Sequence, residues 1–189
     1  MQKIPLESFY CISEFQHHEK VKSDLLDLIY NSDYQSPYHP LAEVNISKCD
    51  WHKATDFNRS WFLFLKNYLF DQLLEDYKQL GYDGFALCEI WFQQYLKNSE
   101  HGWHTHSGNF TSVYYLELPD DSPKIQIISP FDQKTVIEIP VQEGDILMFP
   151  SFVIHKSPLN QSTHSKTIIS FNTNATYSDL IYNNKLGDN

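Results

Sequence analysis

The spacing of apolar positions divides the chain near residue 84, with helix-period stripes before it and short, turn-bounded apolar runs after it. In the first part, Val21, Leu25, Leu28 and Ile29 fall on one side of a helix that starts at Ser13 or nearby and runs to about Tyr30. Residues 31–40, with Asn, Asp, two Ser and two Pro, read as a loop. A second helix follows, with Asp56 or Asn58 as its cap. Trp61, Leu65, Tyr68, Leu69 and Leu73 recur at three- and four-residue steps, Tyr77 and Leu80 extend the stripe, and Gly81 supplies the stop. This stripe reads as core, packed against a sheet.

From Phe85 onward the period changes. Strands are expected near 85–95, 103–106, 111–118, 124–129, 135–139, 145–149, 152–157 and 165–174. Turn residues such as Asp120–Asp121–Ser122–Pro123, Ser129–Pro130 and Glu143–Gly144 separate them. So many short strands in under a hundred residues point to a sandwich or barrel. With 189 residues, no repeat and no linker, the chain reads as one domain over 1–189, helical over about 1–84 with a β core over about 85–175.

Composition narrows the function classes. Net charge is −10, which disfavours nucleic acid and anionic membranes because both reward a positive surface. No stretch is long and apolar enough for a membrane span, and Met1–Cys11 shows neither a signal peptide nor an anchor, so a cytoplasmic protein is expected. Three widely spaced cysteines, Cys11, Cys49 and Cys88, make no zinc pattern and no disulfide framework, and read as buried reduced thiols.

The candidate chemistry lies in the histidines. His17, His18, His39, His52, His101 and His164 read as solvent-exposed residues of helices and loops. His104 and His106 flank one residue, and in an extended strand positions i and i+2 project from one face, so both imidazoles can converge on one point. His155 opens a strand after Gly144–Asp145, an apolar run and Pro150. An antiparallel sandwich brings such distant strands side by side. Three neutral imidazoles on a divalent metal leave positions free for small ligands, which suits catalysis better than a closed structural site.

These residues sit in a longer pattern. His104–Thr105–His106, Ser112–Val113–Tyr114–Tyr115–Leu116, Leu147–Met148–Phe149–Pro150–Ser151, His155, Pro158–Leu159–Asn160, Lys166 and Ser170–Phe171–Asn172 resemble the 2-oxoglutarate- and iron(II)-dependent oxygenases. The branch is one of marine bacteria and their phages, related to prolyl hydroxylases. Asp50–Trp51, Trp61 and Trp91–Phe92–Gln93–Gln94–Tyr95 are similar to its phage members. The match covers about 89–172. It implies a double-stranded β-helix (jelly-roll) with helices packed on one sheet, located in a bacterial or phage-infected cell. It further implies iron(II) on His104, His106 and His155, and 2-oxoglutarate as cosubstrate. Lys166 would grip the far carboxylate of that cosubstrate, helped by Tyr114 and Ser170. The implied reaction hydroxylates a C–H bond of a protein side chain or a small amino-acid-like molecule, with succinate and carbon dioxide as co-products. Trp91, Gln93, Tyr95, Trp103 and Phe110 are expected around the substrate mouth.

Two positions depart from the common pattern. His106 stands where a carboxylate usually completes the triad, leaving the metal one unit more positive. Lys166 stands where arginine is usual, a point charge in place of a bidentate fork. Two other readings stay open: a cupin-type three-histidine enzyme that needs no 2-oxoglutarate, and a non-catalytic jelly-roll module holding zinc. Phe110 and Thr111 occupy the positions where a cupin motif expects glutamate.

Overall fold

A computed structural model of the chain describes residues 8–177. The first residues of the Met1–Cys11 segment and the end of the 1–189 domain lie outside the described residues. In chain order the elements are β1 (Cys11–Glu14), α1 (His18–Tyr30), three two-residue strands β2 (Tyr38–His39), β3 (Val44–Asn45) and β4 (Lys48–Cys49), and α2 (Ser60–Gln79). Then come β5 (Gly84–Tyr95), β6 (Glu100–His104), β7 (Phe110–Glu117), β8 (Gln126–Ile128), β9 (Val136–Glu138), β10 (Asp145–Pro150), β11 (His155–Ser157) and β12 (Lys166–Thr176).

Two antiparallel six-stranded sheets face each other, ordered β1-β10-β7-β12-β5-β4 and β2-β3-β6-β11-β8-β9. This is the expected jelly-roll, with both helices against the outer face of the first sheet. The first sheet is therefore covered on both faces, and alternation assigns its side chains to one of two cores. Trp61, Leu65, Leu69, Leu73 and Tyr77 of α2 meet Ile90, Phe92, Tyr114, Leu116, Ile169 and Phe171 in the outer core. Trp91, Tyr95, Val113, Tyr115, Leu147, Phe149 and Ile168 form the core between the sheets. The helix stripe is core as its period required, each side chain contributing about 1.5–3 kcal/mol on burial. Gly81 ends α2 in the left-handed region at φ 85°, which glycine adopts without a Cβ clash.

The helical first part also contains four strands that periodicity does not reveal. β2, β3 and β4 are two residues each, too short to carry a period. Ser13 lies in β1 and does not cap α1. It pairs with Ile146 at the sheet edge, and its Oγ donates to Asp76. α2 begins at Ser60, and neither Asp56 nor Asn58 caps it directly. Asp50 instead joins this end of the helix to β5. Fully buried, it accepts from the Phe92 N–H at 2.8 Å, from Trp61 Nε1 at 3.0 Å and from the Arg59 guanidinium. Of the cysteines only Cys49 is buried, while Cys11 and Cys88 are half-exposed, and all three are free.

Candidate metal centre

β11 pairs with β6 so that His155 lies opposite His104. His106 follows just past the end of β6, its N–H donating to the Ser151 carbonyl at 3.1 Å. Ligand nitrogens of His104, His106 and His155 come within 4.8 Å of one another. Two of the rings are fixed by the backbone. His104 Nδ1 lies 2.7 Å from the Gly102 carbonyl and His155 Nδ1 2.9 Å from that of Val153. A carbonyl only accepts, so each Nδ1 carries the proton and each Nε2 keeps its lone pair for the centre. Trp91 stacks on His106 at 5.4 Å and 24°.

Burial keeps these imidazoles neutral. It lowers His104, lowers His106 to about 4 with help from His104, and holds His155 well below the ordinary value. Neutral nitrogens with open lone pairs are what a divalent cation binds, so the donor set fits a metal.

Beyond the triad, between the sheets, a chamber of about 30 Å3 reaches Lys166 and is lined also by Tyr115, Ser157 and Ser170. Lys166 is 1% exposed, yet its burial among apolar neighbours is not matched by any carboxylate among the described residues. Its Nζ donates to the Pro123 carbonyl at 2.9 Å and Ser157 Oγ at 3.0 Å, and sits 5.3 Å from the Tyr95 ring centre. Desolvation pushes its pKa down to about 7. A buried ammonium facing three neutral imidazoles is an electrostatic environment that favours an anion between them. Tyr115 Oη, also buried in this chamber, has no hydrogen-bond partner among the described residues.

Several expected residues converge here. Lys166, Ile168 and Ser170 share a face, and Trp91, Gln93 and Tyr95 lie opposite them on β5. Tyr95 lines the Lys166 chamber rather than a substrate mouth. Tyr114 does not reach the site. It faces α1, with its Oη 2.7 Å from His18 Nδ1, and the neighbouring Tyr115 takes the inward position. Trp103 points outward, 38% exposed, beneath the ammonium of Lys156. Phe110 packs in the helix-side core. Two histidines expected at the surface are not free there: His18 is buried against Tyr114, and His101 is half-buried, stacked on His104 at 3.8 Å.

The reasons are local. β7 is buried along nearly its whole length and reads apolar on both faces, so no alternation indicates which tyrosine points inward. In β6 the pairing skips a residue, with His155 opposite His104 and Ser157 opposite His101. That bulge turns His101 and His104, three apart, to the same side and turns Trp103 away.

The chain matches no family model and no curated protein sequence. Solved structures do match. A prolyl-4-hydroxylase of Pseudomonas putida is 13% identical, with 86% of this chain and 91% of that one aligned at a TM-score of 0.60. The α-ketoglutarate-dependent epimerase SnoN of nogalamycin biosynthesis is 9% identical, covering 88% and 77% at 0.67. A viral collagen prolyl hydroxylase from Paramecium Bursaria Chlorella virus-1, solved with 2-oxoglutarate, is 12% identical, covering 89% and 96% at 0.56. Identities this low establish a shared fold, the jelly-roll that these proteins have in common.

Proposed function

We propose that the protein is an iron(II)- and 2-oxoglutarate-dependent oxygenase that hydroxylates a C–H bond of a protein side chain or a small amino-acid-like molecule. One observation carries the reading: a fully buried lysine without a carboxylate partner among the described residues, in one chamber with three neutral, inward-facing imidazoles. The fold's relatives supply the context, since one is an α-ketoglutarate-dependent epimerase and another was solved with 2-oxoglutarate.

In this reading His104, His106 and His155 hold iron(II), which when bound supplies the oxygen activation that no side chain can. Gly102 and Val153 hold two of the rings in the ligating tautomer. Lys166 takes the far carboxylate of 2-oxoglutarate as a point charge, and the desolvation that now depresses its pKa is then offset by an ion pair. Tyr115 Oη, unpartnered and buried, donates to the same dianion, and Ser170 stands beside it. The chamber is tight, with room for about two waters, so the dianion enters as the flexible Lys166 side chain exchanges its present acceptors for the carboxylate. The apolar walls from Val113, Ile125 and Ile168 exclude water from this end. His106 in place of a carboxylate leaves the bound dianion to neutralise the metal.

Succinate formation tests the proposal. The iron(II)-loaded protein, given 2-oxoglutarate in air, is expected to release succinate detectable by proton NMR, and His155→Ala and Lys166→Met are expected to lose it. Iron binding with no succinate from the wild type would overturn the proposal.

A further inference from the structure

A second cavity of about 190 Å3 lies on the other side of the triad. Its walls are Pro37, Val44, Ile46, Trp51 and Trp91, and His104 and His106 form its floor. It adjoins an outer recess of about 290 Å3 that shares Pro37, Cys49 and Trp51. Charged residues make up 20% of the chain, yet among the described residues no Asp, Glu, Lys or Arg lines either space. In the metal-free protein an ion entering here would lose hydration without gaining a counter-charge from the walls, a cost that selects against charged groups. At the mouth Trp51 is 62% exposed, its ring tilted 45° to that of Trp91 at 6.4 Å. Two indoles at such an angle offer apolar faces against which a flat group can stack.

One polar chain enters this apolar wall. Ser170 Oγ donates to Gln93 Oε1 at 3.2 Å, and Gln93 Nε2 lies 3.5 Å from His101 Nδ1. An amide nitrogen only donates, so His101 Nδ1 accepts and the ring proton sits on Nε2. His101 lines the cavity directly above His104, and its Nε2–H is a donor.

We infer that this cavity receives the substrate, and that the substrate presents a neutral, planar apolar group bearing a hydrogen-bond acceptor. The plane stacks on the exposed ring of Trp51 against the apolar wall to which Trp91 contributes, and the acceptor takes the His101 Nε2–H. This rests on the oxygenase reading and narrows it, disfavouring a free amino acid with its two charges. His101 is a positioning residue that fixes the group over the metal.

Calorimetric titration of the purified protein with benzamide, benzoate and benzylammonium tests the inference, because the three share a ring and differ in charge. Benzamide is expected to bind at least about tenfold more tightly than either ion. Trp51→Ala is expected to weaken it about tenfold, the loss of one stacking partner. His101→Phe, which keeps a ring and removes the donor, should weaken it too, while Trp103→Ala leaves it unchanged. A capped neutral Gly-Trp-Gly peptide shows whether the group arrives free or on a polypeptide, and Trp51-dependent binding of either supports the class. Equal, Trp51-dependent binding of an ion would overturn it, as would benzamide binding that ignores Trp51. The titration needs neither iron nor 2-oxoglutarate. Benzamide binding without succinate formation therefore sinks the oxygenase reading alone, and succinate formation without benzamide binding sinks this inference alone.

Discussion

Lys166→Met should make the unliganded protein more stable while removing its cosubstrate. The unfolded chain holds this ammonium at the ordinary 10.5, and the folded chain holds it at about 7 through desolvation. That difference corresponds to about 4 kcal/mol of penalty at pH 7, where the folded group is half protonated. The variant leaves the Pro123 carbonyl and Ser157 Oγ without their donor, at roughly 1–3 kcal/mol. Methionine fills a similar volume without charge, so a net gain of about 2 kcal/mol is expected, or about 4–8 °C in a domain of this size. Between pH 7 and 10.5 the unfolded chain binds more protons than the folded one, so wild-type stability rises with pH across that window. The advantage of the variant is therefore largest at and below pH 7 and disappears above about 10.5. With 2-oxoglutarate the order reverses, because one partner of a buried ion pair is gone, and affinity should fall at least about a hundredfold. Thermal melts at several pH values, with and without 2-oxoglutarate, read both effects. A variant that melts below the wild type at pH 7 with no pH trend would refute the reasoning, as would retention of 2-oxoglutarate affinity within about tenfold.

Three other outcomes follow from particular contacts. Tyr115→Phe should weaken 2-oxoglutarate binding with little change in melting, since its Oη has no hydrogen-bond partner among the described residues to lose. Tyr114→Phe should do the opposite, costing about 1–3 kcal/mol by stranding His18 and leaving affinity intact, as calorimetry and melts would show. Gly102→Ala should destabilise by about 1–3 kcal/mol and weaken metal binding, because its Cβ would sit 2.3 Å from the Ala42 carbonyl and displace the acceptor that orients His104. Burial depresses the triad imidazoles, so the unfolded chain takes up their protons first as pH falls below about 6.5. Stability should decline from there down to about pH 4, while metal affinity stays flat from pH 8 to about 6 and then falls, measurable by melts and competitive chelation.

The parts of the fold that span several periods were legible in the sequence. α2 and the long strands β5, β7, β10 and β12 sit within a few residues of their expected places. β1 to β4 were not legible, because two- to four-residue strands at or next to a sheet edge are set by pairing partners rather than by their own pattern. His104 and His106 were legible because i and i+2 of extended chain share a side, although His106 lies just past the end of β6. His155 was legible from the turn and apolar run that precede it, and Ser170 shares the side of Lys166 by alternation along β12. The family resemblance points to Tyr114, and a strand buried on both faces has no polar face to show that Tyr115 is the one turned inward. His101 and Trp103 exchanged roles because one bulge in β6 breaks alternation, and nothing in residues 100–104 except Gly102 marks it. Trp51 reaches the triad through a three-dimensional fold-back of the 31–53 segment that sequence separation hides.

The central claim is that the three imidazoles and Lys166 together hold iron(II) and 2-oxoglutarate. It is tested most directly by anaerobic titration of the metal-free protein with iron(II) and then 2-oxoglutarate, watching for the weak visible charge-transfer band of the chelate. The band is expected in the wild type, weakened in Lys166→Ala and absent in His155→Ala. Iron bound at the triad with no band on adding 2-oxoglutarate would contradict the account.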